Sequence, residues 1–191
     1  MATTYAIDHV PVDARGRSAA ERDWRTLLAT EPPERFLGFG APVLAPAGAT
    51  VVGVHEGEAD HPARRSHLAL VPYMLGQAGR LRRGANALAG NHLVLELAAG
   101  RGYVALVHLQ RGSIRVVQGE VVRPGQQLAA CGNSGNSTQP HVHMQVMDGA
   151  DPMTARGVPM AFRQFREHDR GASRIVESGL PVDGSIIEPV R

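Results

Sequence analysis

Of the nine histidines in this chain, His141 and His143 are separated by a single residue. In an extended strand successive side chains alternate between faces, so His141, His143 and Gln145 fall on one side and Val142, Met144 and Val146 on the other. One side is apolar core and the other a polar wall. Two imidazoles at this spacing can converge on one ion or one substrate, as metal sites and general acid–base sites require, although a pair of ordinary surface-facing histidines satisfies the same spacing. In the neighbouring run from Tyr103 to Leu109, alternation groups Val104, Leu106 and His108 on one face, and a third imidazole is expected to meet the pair across the sheet. His92 and Glu96 share a face of the strand that begins at Asn91, which makes them candidates for lining or supporting a groove. Cys131 is the only cysteine, so there is no disulfide framework within the chain and any metal needs histidine and carboxylate donors.

The elements that must position these residues read as mainly β. Tyr5 to Pro11 has the pattern of a short strand with Asp8 and His9 pointing apart. Ser18 to Glu21 has the form of a capping box, Trp24, Leu27 and Leu28 follow at helical spacing, and Pro32 and Pro33 stop the pattern. That predicts one short helix in an insertion over about residues 13–38. From Gly40 onward, β-branched and apolar runs separated by Gly, Pro and Asn predict a compact antiparallel β-sheet. It is interrupted by a surface excursion over residues 55–90. Gly132 to Thr138 lacks the lysine of a phosphate loop and the spacing of a serine-nucleophile turn, and reads as a tight loop delivering His141. Pro152 to Phe162 has the composition of a closing strand in the core. A domain over 1–162 is thus expected, followed by a polar extension over 163–191 with some helix from Arg163 to His168.

Composition narrows the function. With charged residues at 20% and a net charge of +2, without a dominant basic patch, nothing points to nucleic acid. No apolar run approaches the ~18 residues of a membrane span, and the opening residues lack the form of a secretory signal. As written, the product is expected to be soluble and to stay inside.

The stretch from Val121 to His143, VVRPGQQLAACGNSGNSTQPHVH, resembles the active-site motif of the lysostaphin/LytM-type zinc metallopeptidases, in which a Gly- and Ser-rich loop leads into Pro-His-Leu-His. Val107, His108 and Leu109 look like that family's preceding His-Leu strand. Ala6 to Asp8, and Gly40 to Val51, resemble its N-terminal segments. The resemblance covers most of residues 5–160 with the motifs in the family's order. It implies the family's fold, the duplicated-hybrid-motif type, and a zinc ion held by Asp8 and His143, with His108 and His141 as the catalytic pair. It further implies hydrolysis of peptide bonds in peptidoglycan-type peptides.

One position departs from the family, which uses a third ligand, a histidine a few residues before the aspartate; Thr4 stands at one expected spacing. Three readings stay open. The natural start, with an export signal, lies upstream; another histidine substitutes, of which His55, His61 and His67 lie in the excursion while His9 points away; or the site is degenerate and the domain binds cell-wall peptide or a partner protein without cleaving it.

Overall fold

The computed structural model describes residues 4–66, 68, 84–152, 154–169 and 171–190. His67 and most of the excursion beyond it lie outside the described residues. The chain divides into two units, Met1–Gly157 and Val158–Arg191, whereas composition placed the change of texture after residue 162.

In the first unit the main sheet contains β1 (Ile7–His9), β3 (Ala49–His55), β4 (Asn91–Leu97), β5 (Tyr103–Leu109), β6 (Val121–Val122) and β8 (Val142–Met147), in the order β1-β8-β5-β4-β3-β6 with antiparallel neighbours. A second, two-stranded sheet pairs β2 (Pro42–Leu44) with β7 (Gln127–Ala130). The central strand β5 is apolar except for His108, β4 carries Asn91, His92 and Glu96 beside its leucines and valine, and both strands are buried on both faces over most of their length, as expected of strands sandwiched between layers. Leu93, Leu106 and Met144 are successive cross-strand partners, and all three are buried. Opposite residues of an antiparallel ladder share a face, so these three define one side of the sheet. Val94, Ala105, Val107 and Met147 cluster on the other. Each fully buried Leu in this core stabilises the fold by roughly 1.5–3 kcal/mol.

The insertion differs from the sequence reading. Its helix α1 is only Trp24–Leu28, none of its residues is buried, and its cap is Asp23, which accepts from the amides of Arg25 and Thr26 while Thr26 Oγ1 accepts from the Asp23 amide. Ser18 instead bonds Gln139, and Glu21 pairs with Arg35. Five residues make too little helix to bury a face, so Trp24, Leu27 and Leu28 stay 60–71% exposed, and the insertion is held through Ala19, Phe36 and Ala63. Glu31 is buried beside them, its carboxylate gripped by Arg65 Nε at 2.8 Å and Nη2 at 2.6 Å. A second five-residue helix, α2 (Ala85–Ala89), leads into β4.

Two expectations near the C-terminus are corrected. None of the described residues from 152 to 162 is buried, and up to residue 161 regular structure there is confined to β9 (Gly157–Val158), so this stretch does not close the core. Residues 163–168 are strand, not helix: β10 (Phe162–Asp169) lies between β11 (Ala172–Gly179) and β12 (Ile186–Pro189) in an antiparallel sheet. Phe165 and Glu167 are its two buried residues, two positions apart, which is strand period. The polar composition concealed this because one inward residue is a carboxylate. Glu167 is satisfied by Arg174, the Val182 amide and the Ser185 hydroxyl, as a buried charge must be.

Among the described residues no helix is long and apolar enough to cross a membrane.

Candidate active site

The site lies at one end of β8, where β1 and β5 flank it. Asp8 and His143 are cross-strand partners on β1 and β8, and Asp8 Oδ1 lies 2.8 Å from His143 Nδ1. His141 directly precedes β8, with its Nε2 3.6 Å from the same Asp8 oxygen. The hydrogen bond to His143 holds the Asp8 carboxyl below the usual carboxylate value, against the opposing effect of its burial.

His108 arrives by a route that alternation does not describe. His143 is the cross-strand partner of Val107, while Leu106 faces Met144 on the other side of the sheet. Strict alternation would therefore turn His108 with Leu106, away from His143. Instead, between the pairs Asn91–Leu109 and Leu93–Leu106, the single β4 residue His92 faces both Val107 and His108. This is a β-bulge, and His108 sits in it at φ 63°. The extra residue turns the imidazole to the His143 side, with ring centroids 4.8 Å from His141 and 6.1 Å from His143. Burial, reinforced by the neighbouring imidazoles, pushes the His108 pKa down to about 3.

Three protons can be placed from the partners. His108 Nδ1 lies 2.9 Å from the Ser134 carbonyl and His141 Nδ1 2.8 Å from the Gln139 carbonyl. A carbonyl only accepts, so each Nδ1 carries the proton and each Nε2 offers a lone pair. For His143 the partner at Nδ1 is the Asp8 carboxylate. Asp8 Oδ1 only accepts, so Nδ1 donates to it at 2.8 Å, and Nε2 stands 3.3 Å from the Gln145 side-chain amide. A divalent cation held by this pair would take the place of the shared proton. In donor chemistry, then, Asp8 and His143 fit a zinc ion, with Gln145 fixing the ring as an outer partner does. Among the described residues no group of three or more such donors is gathered as a metal cage.

The loop from Gly132 to Pro140 supplies both carbonyls. Gly135 has φ 71°, and a side chain there would collide with the Gly90 amide and the Leu88 carbonyl, so only glycine fits the turn. Cys131 before it packs as a buried free thiol, its pKa pushed up to about 12 by burial.

Residues 76–155 match the model of Peptidase family M23. That stretch is similar to the M23 peptidases. The matched stretch holds His92, His108, His141 and His143, whereas Asp8 and the insertion lie outside it. Among solved structures, the catalytic domain of the antimicrobial peptidase lysostaphin from Staphylococcus simulans aligns at 22% identity and TM-score 0.42, over 64% of this chain and 70% of that one. The catalytic domain of the prophage-encoded M23 protein EnpA from Enterococcus faecalis, as a mutant, aligns at 20% identity and TM-score 0.42, over 75% and 81%. A zinc-containing peptidase from Vibrio cholerae aligns at 24% identity and TM-score 0.40, over 63% of this chain and 26% of that one.

The remaining candidates separate from this centre. His92 Nδ1 donates to the Gly90 carbonyl at 2.8 Å and the ring stacks on His55, ring centroids 5.2 Å apart, while His55 Nε2 lies 3.4 Å from Glu58. Glu96 meets the Tyr103 hydroxyl at 3.4 Å. His61 bonds the Gly135 carbonyl, and His9 is the partner of Val142 rather than of His143. Sequence reading passed over the Ser134 and Gln139 carbonyls, for which side-chain type carries no signal.

Proposed function

We propose that this chain is a zinc-dependent peptidase that cleaves peptide bonds of peptidoglycan-type peptides. The observation that carries the reading is the carboxylate–imidazole pair of Asp8 and His143 at 2.8 Å, flanked by two imidazoles whose protons are committed to carbonyls. Asp8 and His143 would hold the zinc. A zinc ion there would lower the pKa of water to about 7 and polarise the scissile carbonyl. His108 and His141 present Nε2 as an acceptor, so either ring can take a proton from the attacking water, and the ring so charged is then the donor to the departing amine. Keeping Nδ1 on a fixed carbonyl prevents the ring from presenting the wrong tautomer. The substrate class rests on the similarity of residues 76–155 to Peptidase family M23.

A second reading, a binding domain without hydrolysis, is favoured by one observation: the described residues gather no three-donor metal cage. One experiment separates the two. The purified chain is loaded with zinc and incubated with peptidoglycan-derived peptides, and products are identified by mass spectrometry. Cleavage that is lost with chelator and in His143→Ala supports the peptidase. Peptide binding by calorimetry with no product at any zinc concentration supports the binding domain.

A further inference from the structure

We propose that Asp60 and His61, in the segment before Ala63, are positioning residues for the two catalytic imidazoles. The inference rests on the peptidase reading for its catalytic consequence, though its geometry stands apart from it.

The segment from Asp60 to Arg64 runs along the loop from Gly132 to Thr138 and grips it from end to end. Asp60 Oδ1 accepts the Asn133 amide at 2.6 Å, and Oδ2 accepts the Arg111 amide at 2.9 Å. One carboxylate thus ties the loop to the chain just past His108. The His61 amide bonds the Asn133 carbonyl at 3.2 Å, and Asn133 Nδ2 donates back to the His61 carbonyl at 2.6 Å. His61 Nε2 lies 2.8 Å from the Gly135 carbonyl, and the Arg64 amide donates to the Thr138 carbonyl at 2.7 Å. The His61 tautomer is fixed as well. Arg64 Nη1 lies 3.0 Å from His61 Nδ1, and a guanidinium only donates, so Nδ1 accepts and Nε2 carries the proton to Gly135.

What this loop presents on its other side is the Ser134 carbonyl to His108 and the Gln139 carbonyl to His141. Ser134 is itself wholly buried, its hydroxyl donating to the Leu109 carbonyl at 2.8 Å and accepting the Asn91 amide at 3.0 Å. Asp60 and His61 touch neither imidazole. They act through the backbone that both imidazoles are bonded to, and a displacement of about 1 Å in such a frame is enough to cost about 100-fold in rate. The grip is in turn anchored to the insertion by the paired backbones of Glu31 and Ala63 and by the Arg65 to Glu31 ion pair. This gives the segment a task that its composition does not suggest.

The test compares Asp60→Ala, His61→Leu and His61→Gln with the parent protein, all zinc-loaded. In His61→Gln the amide can still donate to the Gly135 carbonyl; in His61→Leu nothing can. Two readouts are taken: kcat and KM on a cleaved peptide, and the exchange-protected imidazole Nδ1–H proton signals of His108 and His141 by NMR, assigned with His108→Asn and His141→Asn. The expectation is that Asp60→Ala and His61→Leu lower kcat about 10- to 100-fold with KM changed less than about threefold, and lose or broaden both Nδ1–H signals. His61→Gln is expected to keep both. The NMR readout needs no turnover, so it tests the positioning even if the chain cleaves nothing and the peptidase reading fails. Folded Asp60→Ala and His61→Leu proteins with both signals and kcat unchanged overturn the proposal, as does an equal loss in His61→Leu and His61→Gln. Should Asp60→Ala not fold, the two His61 variants decide the matter in the same way.

Discussion

His108 reaches the Ser134 carbonyl at 2.9 Å from a backbone held at φ 63°, so the same bulge that turns the ring into the site also gives it the acceptor that fixes its proton. Asparagine tolerates this left-handed conformation, whereas a β-branched residue does not. His108→Asn is therefore expected to keep the melting temperature within a few degrees, while His108→Val loses about 1–2 kcal/mol from backbone strain alone. In both, peptide cleavage falls by about 100- to 10,000-fold if the ring is the acid–base group. Urea unfolding and steady-state kinetics on the pair separate the two effects.

Asp8 and His143 should decide metal affinity, and Gln145 should tune it. Chelator-competition titration is expected to show zinc binding weakened about 10- to 100-fold in Gln145→Ala, the range for losing an outer partner, and more strongly still in Asp8→Ala and His143→Ala. His141→Ala is expected to retain the metal and lose turnover. Equal zinc affinity in all four variants would remove Asp8 and His143 as ligands.

Gly135 joins a φ of 71° to a position where a Cβ overlaps the Gly90 amide. Gly135→Ala should cost at least about 1–2 kcal/mol for the conformation, with the overlap added, and should displace the carbonyl that His61 holds. Calorimetric melting of the variant beside the parent protein measures the first effect, and kcat the second.

Glu31 gives a pH signature. Its hydrogen bond from Arg65 outweighs burial and holds its folded pKa below the ordinary value of 4.5. A carboxyl with a depressed folded pKa contributes stability that is complete above the unfolded value and is lost as pH falls through the folded one. Stability from this group should thus be level above about pH 5 and decline below about 4.5. Glu31→Gln should be less stable by about 1.5–3 kcal/mol at neutral pH and show a flatter decline in acid. Denaturant unfolding from pH 7 to pH 3 on both proteins tests this, and parallel curves would show that the ion pair does not carry the difference.

Local pattern in the sequence was enough for the sheet's strands, for the shared face of His141, His143 and Gln145, and for the motif within the stretch that matches M23, because alternation and turn residues act over a few neighbours and need no distant partner. The face of His108 was not legible in that way. A bulge is defined by the partner strand, and nothing between Tyr103 and Leu109 announces that His92 will stand opposite two residues. The strand at Phe162–Asp169 was hidden for a similar reason. Glu167 is an inward residue only because Arg174, Val182 and Ser185 come round to satisfy it. Tertiary structure alone brought Asp60 and His61 against a loop some seventy residues away, since hydrogen bonds to backbone carbonyls depend on where the chain passes and leave no trace in residue type.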